Sequence, residues 1–187
     1  MAASGKYYVD AFLGNVFVGT TAAAGVILPV YSNTAQTFVI WNPLGSGKNI
    51  IPINLTIGYV STTAAASNFV LAYQTGCGAQ SATASPITAI TLATPVNMNL
   101  GAGNSSIAKF APATATFTAG LTLLKSTGFN QLVTTAATTG GVGWTWREDY
   151  DGTLIIPPGV ALAVCGNIAP LQTNDVSLVW EESPVSG

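Results

Sequence analysis

The 187-residue chain contains no histidine and few charged side chains: five Lys plus Arg and seven Asp plus Glu. Without histidine it lacks the commonest general base and the commonest metal ligand, which argues against most enzyme classes. A net charge of −2 and a pI near 4.7 do not provide the basic surface that phosphate binding requires. The sequence therefore predicts a protein that is not an enzyme and has no cofactor, metal or nucleic-acid partner.

Long apolar runs are also missing. The most apolar stretch, Val16–Tyr31, is interrupted by Thr20 and Pro29 and falls short of the roughly 20 apolar residues that span a bilayer. Asp10 lies where a signal peptide would be uniformly apolar. We therefore expect no membrane partner and synthesis in a cytoplasm.

Cysteine is scarce, with one residue in a loop-like sequence, Cys77 in TGCGA, and one in an apolar run, Cys165 in VALAVC. Their contexts differ and no spacing pattern links them to each other or to another ligand. Small buried hydrophobic residues are a better interpretation of both than a disulfide.

Neutral and apolar residues take the place of the missing charge. Hydrophobic residues make up 49% of the chain, which also has 24 Thr, 27 Ala and 20 Gly. Sixty consecutive residues between Lys48 and Lys109 carry no formal charge. A surface of this kind suits permanent burial against protein partners. The length fits a single domain over residues 1–187.

Alternation with a period of two dominates the sequence and predicts strands. In INLTIGYV, Ile53, Leu55 and Ile57 are expected on one face of a half-buried strand. In the closing strand, Leu178 and Trp180 are opposed to Ser177, Val179 and Glu181, so we expect both to face the core. Further strands are predicted before Tyr31 and at Phe38–Trp41, Phe69–Tyr73, Ile87–Leu92, Thr114–Thr118, Val142–Trp146, Leu154–Ile156 and Val160–Cys165.

Turn residues separate these runs, and short strands at this spacing predict an all-β protein, a single jelly-roll-like antiparallel β-sandwich. Gly45–Asn49 lacks the first Gly and the Ser or Thr of a phosphate-binding loop, and is predicted to be a polar hairpin. Only Leu121–Leu132 has spacing that suggests a helix, and Gly128 interrupts it.

Two groups of acidic residues invite a functional interpretation. Arg147, Glu148, Asp149 and Asp151 could hold Ca²⁺ or supply paired carboxylates, but their spacing matches no calcium loop. A solvated loop after Trp146 is the preferred interpretation. The pair at 181–182, at the end of the last strand, is expected to be edge charge that discourages unwanted strand pairing.

Trp144 and Trp146 lie two residues apart and would share one face of a strand. Aromatic pairs of this kind serve in cores and subunit interfaces, and they also form stacking platforms for sugars. These two residues are the candidate interface or glycan-stacking surface.

Two stretches carry a resemblance to a known class. Phe38–Val60, with Asn-Pro and Ser-Gly-Lys between strands, resembles segments in structural proteins of tailed bacteriophages. Asp151–Glu182 looks like the closing strands of small jelly-roll domains in such proteins, where a Pro-Gly turn leads into an apolar strand and the last strand ends in Trp and acids.

This resemblance implies a capsid decoration (cement) protein that forms a homotrimer and binds the major capsid protein on the virion surface, after synthesis in the host cytoplasm. The family implies no catalytic residues. An alternative is a head- or tail-fibre domain that recognises a glycan on the host surface, and a cellular trimeric jelly-roll module or lectin is a third possibility.

Overall fold

The structure is a computed structural model that describes residues 5–61, 68–78, 86–126, 145–168 and 172–185. Within these ranges it contains a single short helix, α1 (Tyr8–Phe12), and is otherwise built from strands. The strands are β1 (Val16–Thr20), β2 (Ala35–Gln36), β3 (Phe38–Asn42), β4 (Lys48–Ser61), β5 (Phe69–Thr75), β6 (Ile87–Ala93), β7 (Val96–Asn97), β8 (Lys109–Phe117), β9 (Thr122–Ser126), β10 (Thr145–Asp149), β11 (Val160–Gly166) and β12 (Thr173–Pro184).

The strands form two antiparallel sheets. Sheet A has the order β10-β4-β12-β1-β7, so β12 is its central strand. Sheet B contains β8, β3, β11, β5 and β9 in a row, together with β2 and β6. The registers place β2 and β3 along one edge of β8 and β6 along the other, because Ala115 pairs with both Gln36 and Ile90.

Strand pairing is nested. β1 pairs with β12, β3 with β11, β4 with β10 and β5 with β9, so the chain folds back on itself like a long hairpin rolled into two sheets. This is the order of a jelly roll, and it confirms the predicted all-β sandwich. Strands β6, β7 and β8 are additions between β5 and β9 that extend both sheets at one side.

The main core lies between the sheets and is built from side chains that alternate along the strands. Phe17, Phe110 and Trp180 are each at most 2% exposed and form its aromatic centre. Ring centroids of Trp180 lie 6.4 Å from those of both Phe17 and Phe110. Leu178 is also buried in this core, which confirms that the closing strand directs Leu178 and Trp180 inward.

A second hydrophobic cluster covers the outer face of sheet B. On β3, Phe38 and Ile40 belong to the core between the sheets, whereas Val39 and Trp41 belong to the outer cluster. Ile87, Phe117 and Leu121 contribute to the same cluster. The inner strands β3 and β11 of sheet B are therefore buried on both faces, which explains why β3 is apolar over Phe38–Trp41 instead of alternating.

A β-bulge changes the predicted face of Ile53. Val179 pairs with Asn54 but Trp180 pairs with Pro52, so Ile53 is the extra residue of β4. Leu55 remains in the core, whereas Ile53 and Val179 line a groove on the outer face of sheet A. The prediction that Ile53 shares a face with Leu55 is therefore wrong.

Three local predictions are also corrected. The connection at residues 43–47 joins β3 in sheet B to β4 in sheet A, so it crosses the sandwich and is not a hairpin turn. Thr122–Ser126 is an edge strand, not a helix, because it pairs with β5, and residues 127–132 of the predicted helix lie outside the described residues. Leu154–Ile156 contributes a single bridge, from Ile156 to Ile50.

Candidate functional site

The tryptophan pair divides between described and undescribed residues. Trp146 lies on β10 opposite Ile57, and its half-buried side chain packs against the main core. Trp144 lies outside the described residues. Trp146 therefore contributes packing at the edge of sheet A, and the stacking surface proposed for the pair stays a prediction.

The acidic cluster after Trp146 is part of strand β10 and not a loop, since residues 147–149 pair with β4. Asp149 accepts hydrogen bonds from Arg147 at 3.0 Å and from Asn54 at 2.8 Å, and these contacts lower the pKa of its carboxyl group. Glu148 forms an ion pair with Lys125 of β9, so the outermost strands of the two sheets are joined. The charged residues of this cluster therefore form ion pairs on and between the edge strands β9 and β10. Across the described ranges, no three His, Cys, Asp or Glu side chains are grouped as metal ligands.

Both cysteines are free and buried, as predicted. Burial raises the pKa of the Cys77 thiol to about 11, and it raises that of Cys165 further. The Cys165 thiol lies 3.2 Å from Oε1 of the buried Gln36 side chain. Thiols with these surroundings are unreactive, so neither is a candidate nucleophile.

Glu182 is not edge charge, because β12 is the centre of sheet A and the Glu182 side chain is fully buried. Its carboxylate accepts hydrogen bonds from the Ser106 hydroxyl and from the backbone N–H groups of Ile107 and Ala108. Lys48 Nζ lies 3.7 Å away. The expectation of edge charge is therefore wrong for both Glu181 and Glu182, because β12 is paired on both sides. Glu182 instead fixes the segment after β7 to the last strand.

Seven exposed apolar side chains belong to α1, to the residue after it and to positions 96–100, and asparagine side chains at 97 and 99 reach the end of the helix. We call these seven residues the α1–β7 patch. Its exposures run from 46% for Met98 to 87% for Leu100. Its members are Tyr8, Val9, Phe12, Leu13, Val96, Met98 and Leu100.

Helix α1 presents its apolar side chains to solvent. Tyr8 and Phe12 lie one turn apart, and their rings stack with centroids 6.2 Å apart. Tyr8 and Ala11 of the helix, together with Met98, line a groove of about 470 Å³ on the outer face of sheet A. No residue of α1 is buried. An amphipathic helix of a globular protein normally turns its apolar stripe inward, whereas the stripe of α1 is exposed.

Three asparagine side chains hold the end of this helix. The carboxamide of Asn99 donates to the carbonyl of Phe12 at 3.0 Å, Asn104 donates to Leu13 at 2.9 Å and Asn97 donates to Gly14 at 2.9 Å. They satisfy carbonyls that a helix end leaves without intrahelical partners. These hydrogen bonds attach the C-terminal end of α1 to the segment at residues 97–104.

Gly14 is required where the helix turns into β1. Its φ of +75° lies in the left-handed region, and a Cβ atom there would lie 2.7 Å from Nδ2 of Asn104. The start of the helix is attached separately, because Lys6 forms a 2.9 Å ion pair with Asp151 and the Tyr7 hydroxyl donates to the same carboxylate. These contacts lower the pKa of Asp151.

Sequence reasoning predicted only strands before Tyr31 and did not find this patch. The available signal is the apolar spacing at positions 8, 9, 12 and 13, which is helical, together with the asparagines at 97, 99 and 104. The signal is weak because the helix has only five residues.

The chain was compared with models of known protein families, with curated proteins and with solved structures, and no match was found. No helix among the described residues has the length and apolar character needed to cross a membrane.

Proposed function

We propose that the protein is a non-enzymatic structural component of a virion, a capsid decoration protein that binds the major capsid protein of a tailed bacteriophage as a homotrimer and stabilises the head. The observation that carries this proposal is the α1–β7 patch, an exposed apolar surface held in place by dedicated hydrogen bonds. Contiguous apolar patches of this kind mark protein-interaction surfaces.

The scarcity of charge supports the same function. Charged groups buried in a subunit contact must be desolvated, and a neutral surface avoids that cost. With only twelve formally charged residues in the chain, wide areas can be covered by partners. A symmetric oligomer that contacts several capsid subunits gains avidity even when each contact is weak.

The jelly-roll order and the resemblance noted in the sequence point in the same direction. The segment that resembles the closing strands of phage jelly-roll domains supplies β11 and β12, which are inner strands of the two sheets. The fold by itself hosts many functions, so the proposal depends on the surface and not on the architecture.

The experiment compares phage particles assembled with and without this chain. We expect the protein-free particles to assemble but to break open at lower temperature or under gentler osmotic shock, because ligands of the intact lattice stabilise it by mass action. Adding the purified protein should restore the resistance. Protein-free particles as robust as complete ones would contradict the reinforcing role. A copy number far below the number of lattice positions would favour the fibre domain instead.

A further inference from the structure

We propose that the groove between α1 and the outer face of sheet A receives a basic side chain of the partner protein, a lysine or arginine whose aliphatic stem lies on the apolar floor and whose charge lies beside Asp10 and Glu181. This proposal rests on the proposed function for the identity of the partner, and it adds the chemistry by which that partner is recognised. The lining of the groove, the two carboxylates at its border and the positions of the chain's own cations carry it.

The floor of the groove is apolar. Val16, Ile53 and Val179 line it from the strands of sheet A, and Ala11 lines it from α1. Its volume of about 470 Å³ lies within the roughly 300–1,000 Å³ of ligand pockets. Lysine and arginine lay their methylene stems along apolar surface and keep the charged head in a polar place. The floor therefore fits the stem of such a side chain.

Two carboxylates border this floor. Glu181 pairs with Val16 across β1 and β12 and follows Val179 by two residues, so these three side chains share the outer face of sheet A. Asp10 lies on α1 directly before Ala11, and its charge acts on the carboxyl group of Glu181. An apolar groove with negative charge at its border is complementary to a side chain that has an aliphatic stem and a cationic end.

No cation of the described residues compensates these two carboxylates, and all five Lys and Arg of the chain are described. Four of the five form ion pairs with other acids: Lys6 with Asp151, Lys48 with Glu182, Lys125 with Glu148 and Arg147 with Asp149. The fifth, Lys109, lies on β8 in sheet B. Burial, and then the charge of Asp10, raises the pKa of Glu181, as expected for a carboxyl group without a counter-charge.

Lys6 also lines the groove, but its charge is directed elsewhere. Its Nζ atom lies 2.9 Å from Oδ1 of Asp151 and donates to the Asp151 backbone carbonyl as well. These contacts with the turn after β10 raise the pKa of Lys6. A basic side chain from outside the chain is therefore the group that can compensate Asp10 and Glu181.

The repulsion between Asp10 and Glu181 destabilises the free chain, and a bound cation relieves it. Sites that bind a partner often retain such unfavourable interactions at a cost in stability. Opposite charges that meet across an interface favour association and select the partner. The same two residues should therefore lower the stability of the free protein and raise its affinity for the partner. A residue with a purely structural role would change both quantities in the same direction.

The first test removes each charge and keeps the shape of the side chain. Asp10→Asn and Glu181→Gln should leave the free protein at least as stable as the wild type at pH 7, because the repulsion is removed. Each should weaken binding to protein-free particles at least about tenfold and make that binding less sensitive to salt, as expected for a lost charge contact. Asp175→Asn is the matched control, since Asp175 is exposed on the outer face of the same strand. It should bind like the wild type.

The second test needs no particle. The probe is a tripeptide with lysine between two alanines, blocked at both ends, and its control has norleucine in place of lysine. In NMR titrations of the labelled protein, we expect the lysine peptide to shift the methyl resonances of Val16 and Val179 and to bind at least about tenfold more tightly than the norleucine peptide. It should also lower the pKa of Glu181, because it supplies the counter-charge. In the double variant Asp10→Asn and Glu181→Gln, the two peptides should bind equally.

The outcomes separate this inference from the proposed function. Equal binding of the two peptides to the wild-type chain, or no binding of the lysine peptide, would overturn the inference and leave capsid decoration intact. Unchanged particle binding by Asp10→Asn and Glu181→Gln, or an equal loss caused by Asp175→Asn, would also overturn it. A wild-type chain that binds the lysine peptide in the groove but does not bind protein-free particles would overturn capsid decoration and leave the chemistry of the groove in place.

Discussion

The hydroxyl group of Ser106 donates a 2.5 Å hydrogen bond to the fully buried carboxylate of Glu182. This contact joins the segment between β7 and β8 to the central strand of sheet A, and it places the carboxylate among backbone N–H donors. The buried charge is thus satisfied by the chain itself, with Lys48 as its nearest cation.

Glu182→Ala should destabilise the protein by about 3–5 kcal/mol, because it leaves buried donors without an acceptor and removes the partner of Lys48. Urea unfolding followed by tryptophan fluorescence measures the loss. Glu181→Ala is the matched control on the outer face of the same strand, and it should cost far less. Equal losses of unfolding free energy in the two variants would show that the hydrogen bonds to the buried Glu182 carboxylate do not stabilise the fold.

Ionisation of Glu181 should lower the stability of the folded protein, and unfolding measured over a pH series tests this. Burial, together with the nearby Asp10, raises the pKa of its carboxyl group. The folded state therefore binds this proton more tightly than the unfolded state, so the ionised form destabilises the fold above the raised pKa. We expect Glu181→Gln to stabilise the protein at pH 7, and the gain to disappear as the pH falls below the ordinary pKa of glutamate.

Asp149 should show the opposite dependence of stability on pH from Glu181. Its pKa is lowered by Arg147 and then by Asn54, so its stabilising contribution is present above the ordinary pKa of aspartate and is lost as the pH falls through the lowered value. Asp149→Asn should therefore slightly destabilise the protein at pH 7. If Glu181→Gln and Asp149→Asn changed the unfolding free energy at pH 7 in the same direction, the opposite pKa shifts described for the two carboxyl groups would be wrong.

Trp180→Ala should cost roughly 3–5 kcal/mol, because the indole is fully buried at the aromatic centre of the core. Trp146→Ala removes the same side chain from a half-buried position at the sheet edge and should cost clearly less. Thermal unfolding of the two variants gives the comparison. A Trp180→Ala variant that melts with the parent would contradict the inward register of β12.

The two native thiols should be unreactive in the folded protein. Burial raises the pKa of the Cys77 thiol to about 11, which leaves almost no thiolate at pH 8. We expect neither cysteine to react with Ellman's reagent until guanidinium is added, when both should react. A thiol that is titrated in native buffer would contradict the described burial.

Chelation should have no effect on stability. The sequence without histidine predicts that the protein needs no metal, so the melting temperature with EDTA should equal the melting temperature without it. Metal analysis of the purified protein completes the test. Stoichiometric Ca²⁺ or Zn²⁺, or a large fall in melting temperature, would contradict the prediction.

Much of the fold could be predicted because it depends on local patterns. Alternation around Leu178 and Trp180 gave their direction, and the apolar runs gave most strands. The bulge at Ile53 could not be predicted, since it depends on how β12 pairs with β4. Glu182 was misjudged because its partners, such as Ser106, are distant in the sequence and are brought close only by the completed sandwich.

The candidate site was harder to predict than the fold. Apolar residues at Tyr8 and Phe12 fit a helix, but their exposure depends on where α1 rests on sheet A, and that position is set by Asp151 and three asparagines. Sequence patterns report which residues can share a face. They do not report whether that face meets the molecule's own core or a partner.

The nested order of strands also determines when the molecule can become native during synthesis. β1 pairs with β12 at Phe17 and Trp180, and β12 also separates β1 from β4. A ribosome makes β1 early and β12 late, so sheet A cannot close until the last strand has emerged. Contacts so distant in sequence slow folding. Nascent chains lacking β12 would leave β1 paired only with the two-residue strand β7 and separated from β4, and we expect such fragments to depend on chaperones or to be degraded before they can enter an assembly.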